Sequence, residues 1–353
     1  MGIVVITLAI PLLIQSFDLI RKGYGEMQAY RHERPGVAYL AGISEAVAAN
    51  AAHRWALRDA LAGVPSEAGG PAQAQSRLAE AFARLEAMDR DAGGELGIQG
   101  ALEKLRPLVQ SLGAAGAEDR QPFAAHDGID QELDGLVGRL FENAGLAVDS
   151  HVDTTYLISS AVFDCVPLIG AIGRARGAGL DTPRAGKLGL EERRALQNAH
   201  ETVHFLQREL RSDLSKAVAV NANLAGKVNP EAALASLERF ASLLADGALL
   251  EPSGVDPASL RQAASQALHE QSDQTRRTLA ALDDAIALHE QAARLRYWAF
   301  VGLLVLSTLL CAYACYSFYL VMNGGLRSSP STRAWRRRAP ASSAAASPSW
   351  PRK

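Results

Sequence analysis

Apolar positions in the long middle of the chain recur at helical intervals. Leu40, Ile43, Val47, Leu57 and Leu61 keep a 3.6-residue stripe. So do Leu78, Phe82 and Leu85, then Ile129, Leu133, Leu136 and Leu140, and further on Leu196, Ala199, Val203, Leu206 and Leu210. No segment alternates with the period of a strand, so the pattern predicts an all-α fold. Breaks are expected at Gly69-Gly70-Pro71 and at Gly93-Gly94. Helix starts are expected where Asn229 precedes Pro230 and Asp256 precedes Pro257. There the cap side chain accepts an orphan backbone N–H, and proline has none to lose. The helix from Pro257 meets no Gly or Pro before Gly302, which predicts an unbroken helix of roughly 65 residues.

That helix runs into 298–322, WAFVGLLVLSTLLCAYACYSFYLVM, a stretch without a charge. It is long enough at about 1.5 Å per residue to cross a hydrocarbon core of about 30 Å. Arg294, Arg296, Tyr297 and Trp298 form a basic and aromatic collar at one end, and Tyr316, Phe318 and Tyr319 mark the other. A second, weaker span is expected over 1–20, with Asp18 near its end. No basic n-region or small-residue cleavage site is evident there, so it reads as an uncleaved membrane helix. The expected organisation is a first span at 1–20, an outward helical domain at 21–296, a second span at 297–322 and a basic tail at 323–353.

Charge sets the orientation. The tail carries Arg327, Arg333, Arg336, Arg337, Arg338, Arg352 and Lys353 and no acidic residue. Against a whole-chain net of −2, that leaves the chain before it at −9. The positive-inside rule puts the tail in the cytoplasm and the domain outside. Rich in Ser, Ala, Pro and Arg, the tail has no means of building a core. No polybasic face suggests nucleic acid. Of three cysteines, Cys311 and Cys315 fall inside the span, which leaves Cys165 without an intrachain disulfide partner in the outward region.

Two candidate chemistries stand out. His200-Glu201-Thr202-Val203-His204 spells H-E-x-x-H, which on a helix sets two imidazoles one turn apart beside a Glu, as zinc proteases do. No third ligand identifies itself, and the expectation is that these residues hold no metal, that no cofactor is bound and that the chain is not an enzyme. In the second, the stripe of Leu40, Ile43 and Val47 lands on Asn50 and Arg54 before returning to Leu57 and Leu61. A guanidinium on an apolar face needs a partner, either a carboxylate ligand or an acidic side chain of a neighbouring helix. Tyr39, Tyr156 and Arg174 join Asn50 and Arg54 as candidate ligand residues. Arg174 and Arg176 also read as cations closing a helix at Gly177.

Two stretches carry a family resemblance: ERPGVAYLAGISEAVAANAAHR at 33–54 and LAVDSHVDTTYLISSAVFDCVPLIGAIGRARG at 146–177. They resemble the periplasmic helical sensor region of bacterial methyl-accepting chemotaxis proteins and of related sensor kinases and diguanylate cyclases. A weaker likeness is FYLVMNGGLR at 318–327, where such receptors enter a HAMP linker. Pro35, Ser150 and Thr155 depart from that family's usual residues. The resemblance implies two stacked four-helix modules sharing two long helices, with four shorter helices between them and a single extended bundle as the other arrangement left open, usually as a homodimer that binds a small molecule, often a carboxylate. No HAMP pattern, kinase core or cyclase domain follows Leu326, so the expectation is an input module whose output is truncated or frameshifted. The alternative is a membrane-anchored helical scaffold that works through a partner protein, and a minor one is a zinc metalloprotease built on the match at 200–204.

Overall fold

The computed structural model describes residues 2–66, 69–91, 94, 96–114, 122–148, 151–180, 190–249 and 256–328. Among these it is all-α, with eight helices and no strand. They are α1 (Gly2–Leu61), α2 (Pro71–Asp91), α3 (Gln99–Ala114), α4 (Pro122–Asn143), α5 (Val152–Leu180), α6 (Leu190–Val220), α7 (Glu231–Leu249) and α8 (Pro257–Ser328).

The expected helix starts have the expected chemistry. Asn229 Oδ1 accepts the Glu231 N–H at 3.1 Å, and the Asp256 carboxylate accepts the Ala258 and Ser259 N–H groups at 3.2 and 3.0 Å. The Ser259 hydroxyl and these backbone donors lower the Asp256 pKa. α4 ends where Gly145 takes φ +78°, a conformation that costs glycine little. Pro35 does not interrupt α1, and α8 runs without a break.

The chain divides into two units. The larger, Gly23–Ala293, holds one hydrophobic core. Its stripes are buried as expected, from Leu40, Ile43 and Val47 through Leu78 and Leu85 to Leu133 and Leu136. Leu61 is the exception: at the end of α1 it is half exposed.

The register along α1 gives the arrangement. Arg34 meets Asp283 of α8 at 2.8 Å, and Asp59 meets Arg261 of α8 at 3.2 Å, so α8 runs antiparallel to α1. Gly36 abuts Ala144 and Asn50 bonds Asp130, so α4 is antiparallel as well. Glu45 pairs with Arg84 of α2 at 3.1 Å. Ala51 abuts Gly173, and Trp55 Nε1 donates to the Gly173 carbonyl at 3.1 Å, which sets α5 beside the same stretch. On the far side, α6 joins α5 through Ser159 and Asp213 at 2.5 Å, and α7 joins α6 through Gln207 and the Leu234 carbonyl at 3.1 Å.

This corrects the expectation of two stacked modules with four shorter helices between the long ones. Six helices lie between α1 and α8, and α2, α4, α5 and α8 line the same length of α1 side by side. The additional helices follow from the turn at Gly145 and the helix start at Pro122, which the pattern of glycine pairs alone does not mark.

The smaller unit comprises the ends of the chain, Met1–Lys22 and Arg294–Lys353. The backbone of the expected first span is helical from Gly2, while its side chains through residue 13 lie outside the described residues. Most of the expected basic tail, from residue 329, also lies outside them; α8 itself continues past 322 to Ser328. Residues 298–322 contain no buried side chain. The Ser307 and Thr308 hydroxyls donate to the Leu304 carbonyl at 2.9 and 2.8 Å, so these two polar groups of the apolar run are satisfied within their own helix. Among the described residues two helices are long and apolar enough to cross a membrane, α5 and α8 over Pro257–Asn323. The apolar window of α5 is 78% buried and serves the core, whereas none of the α8 window is buried.

Candidate functional site

Three of the five residues singled out in the sequence meet at one carboxylate. Asp130 of α4 accepts from Asn50 Nδ2 at 2.7 Å through one oxygen, and its other oxygen lies 3.8 Å from Arg54 and 3.5 Å from Arg174. Arg54 also pairs with Asp127 and donates to the Phe123 carbonyl. The acidic partner that Arg54 requires is therefore supplied by a neighbouring helix. Asn50 Oδ1 and Arg54 Nε keep hydrogen-bonding capacity that no described residue uses. Burial raises the Asp130 pKa, opposed by the Asn50 hydrogen bond and by the charges of Arg174 and Arg54. Asp134 is raised by burial too.

Beside this cluster His53 Nδ1 lies 2.9 Å from His126 Nε2, the two rings stacked at 5.0 Å. Burial lowers the His53 pKa, since a charged imidazole is disfavoured out of water. One turn further along α1, Arg176 grips Asp59 at 2.8 and 3.1 Å and stacks over Trp55 at 4.4 Å. Arg176 is only 1% exposed, and α5 continues to Leu180, so this side chain is a core residue. That corrects the reading of Arg176 as a cation closing a helix at Gly177.

The other two candidates lie elsewhere. Tyr39 is buried beside Asp89 without a hydrogen bond of normal geometry; burial and the Asp89 charge raise its pKa. Tyr156 is partly buried on α5 with the Lys216 ammonium 5.5 Å above its ring. His200 and His204 stack at 5.9 Å, and His200 Nδ1 donates to the Ala241 carbonyl at 3.0 Å. Among the described residues no group of three or more His, Cys, Asp or Glu side chains is placed to hold a metal ion.

Open space lies on the opposite side of α1. A groove of about 540 Å3 between α1, α2 and α8 has a floor of Ala48, Ala49, Ala52, Ala81 and Leu268. Its rim carries Arg77, Arg84 and Arg276 against Glu45, Glu80 and Asp273. A second groove of about 800 Å3 between α1 and α8 shares Arg276 and has Val37, Ala38, Ala41 and Leu279 in its floor. None of the residues singled out in the sequence lines either groove. The alanines of 46–52 give no cue to their role, because a small side chain reads equally as core or as the floor of a cleft. The Arg77, Glu80 and Arg84 spacing on α2 was the available signal, and it also describes an ordinary solvated face.

Comparison with protein-family models, with curated proteins and with solved structures finds no match.

Proposed function

We propose that this chain is a membrane-anchored, extracytoplasmic sensor module that binds a small anionic molecule and acts through α8. The observation that carries the reading is α8 itself: one unbroken helix supplies buried core positions from Leu260 to Ala293 and then the wholly unburied apolar run of 298–322. A rigid helix passes displacement along its length, where a flexible linker would absorb it. The partial resemblance of 33–54 and 146–177 to chemotaxis-receptor sensor regions supports the same reading, with a homodimer as the working assembly.

The groove of about 540 Å3 is the preferred ligand site, because α8 forms one wall of it. Its volume suits a small organic acid, with the apolar body on the alanine floor and the carboxylate at the arginine rim. The Asp130 cluster suits this role less well, since Asn50, Arg54 and Asp130 are buried, whereas the groove opens to solvent. The test is thermal unfolding of the full chain in detergent micelles with a panel of mono-, di- and tricarboxylates. A ligand at a hundredfold excess over its Kd adds about 2.7 kcal/mol of stability. The reading expects at least one acid to raise the melting temperature, and Ala52→Trp, which fills the floor, to abolish that rise. If no acid shifts the transition, the reading fails and the scaffold alternative takes its place.

A further inference from the structure

The middle of α5 departs from α-helical geometry. Ser160–Cys165 forms a π-turn, and the Val166 N–H donates to the Ala161 carbonyl five residues back. Such wide turns recur at functional positions. Here the turn directs Asp164 inward, only 3% exposed, between the buried Val162 and Cys165, while Phe163 faces out.

Among the described residues no cation pairs with Asp164. Its Oδ2 is buried and finds no hydrogen-bond partner. The charged groups that act on it all come from α6: Asp213, Glu209 and Lys216. Lys216 is already committed to Asp213 at 3.0 Å, and the other Asp213 oxygen accepts from Ser159 at 2.5 Å. An ionised Asp164 therefore adds a third carboxylate to a site with one ammonium, on a side chain that is nearly all buried.

We propose that Asp164 is a proton-binding site, held protonated between α5 and α6, and that release of its proton to bulk water loosens this contact at the π-turn. Burial, with the Asp213 and Glu209 charges adding to it, pushes its pKa up to about 7, while Lys216 opposes the rise. The site thus titrates near neutrality and gives the protein a response to pH. It stands apart from the groove and does not depend on the sensor reading.

The sign follows from linkage. A carboxyl raised in the folded state adds stability that is complete below its unfolded pKa and is lost as pH rises through the folded value. The test compares wild type with Asp164→Asn in the full chain in micelles, by thermal unfolding from about pH 5 to about pH 9 and by the infrared band of protonated carboxyl. An amide cannot ionise, so Asp164→Asn removes the charge at nearly constant shape. We expect the melting temperature of the variant to gain on that of wild type as pH rises through neutrality, by several degrees in total. The wild-type minus variant infrared spectrum should show a carboxyl band that disappears over the same range. Lys216→Met, which removes the opposing charge, should move that disappearance to higher pH. A flat difference between the two melting curves, no carboxyl band in the difference spectrum, or a midpoint unmoved by Lys216→Met would each overturn the proposal.

Discussion

Arg176 shows how far a single residue can depart from its local reading. In the sequence it sits among glycines as a cation suited to a helix end; in the fold it is buried against Trp55 and Asp59, with Arg261 sharing the same carboxylate. Stranding a buried charge costs about 3–5 kcal/mol, but Arg261 stays on Asp59, so Arg176→Met should cost less than that, read as a lower denaturant midpoint in micelles. An unchanged midpoint would mean that the pair contributes nothing. Arg54→Ala should lower stability too, because Asp127 and Asp130 lose their shared cation. For His53 the sign is opposite to that of Asp164. Its folded pKa is depressed by burial, so its contribution is present above the ordinary imidazole range and lost as pH falls below it. His53→Leu should therefore gain on wild type under mildly acid conditions, measured by thermal unfolding. Asn50 and Arg54 were visible in the sequence as polar interruptions of an apolar stripe. Their partners Asp127 and Asp130 were not, because the other face of the contact lies 73 to 80 residues away.

At the scale of the element, strongly periodic helices were legible and irregular ones were not. α2 and α4 bury the leucines and phenylalanine that their spacing marks. The caps at Asn229 and Asp256 behave as their chemistry requires. The π-turn of α5 had no local signal, since an inserted residue is fixed by the helices packed on either side of it. Close helix crossings were equally hidden. A Cβ on Gly173 would stand 2.8 Å from Ala51 Cβ, and one on Gly36 would stand 2.5 Å from Ala144 Cβ. These glycines let α5 and α4 approach α1, so a side chain there must push two helices apart. Gly173→Val should destabilise by about 1–3 kcal/mol, read by chemical unfolding, with Gly36→Val behaving alike. Val at the open Gly138, where a Cβ meets nothing within 4 Å, serves as the control for helix propensity alone.

At the scale of the whole molecule, fold class and the apolar span were readable from the sequence, while helix number and arrangement were not. Periodicity reports which face of a helix is buried, but it is silent on which helix covers that face. Eight helices thus replaced the six of the stacked plan. Function rests on a further step, that the bundle lies outside a membrane with α8 crossing it, and cysteine accessibility measures this most directly. In a background of Cys165→Ala, Cys311→Ala and Cys315→Ala, single cysteines are placed at the exposed Ser76 of α2 and at Ser343 of the basic tail. Bacterial spheroplasts expressing each variant are then treated with a membrane-impermeant maleimide before and after lysis. The account predicts labelling of Ser76→Cys in intact spheroplasts and of Ser343→Cys only after lysis, with both chains in the membrane fraction. Labelling of the tail from outside, or recovery of the chain in the soluble fraction, would contradict it.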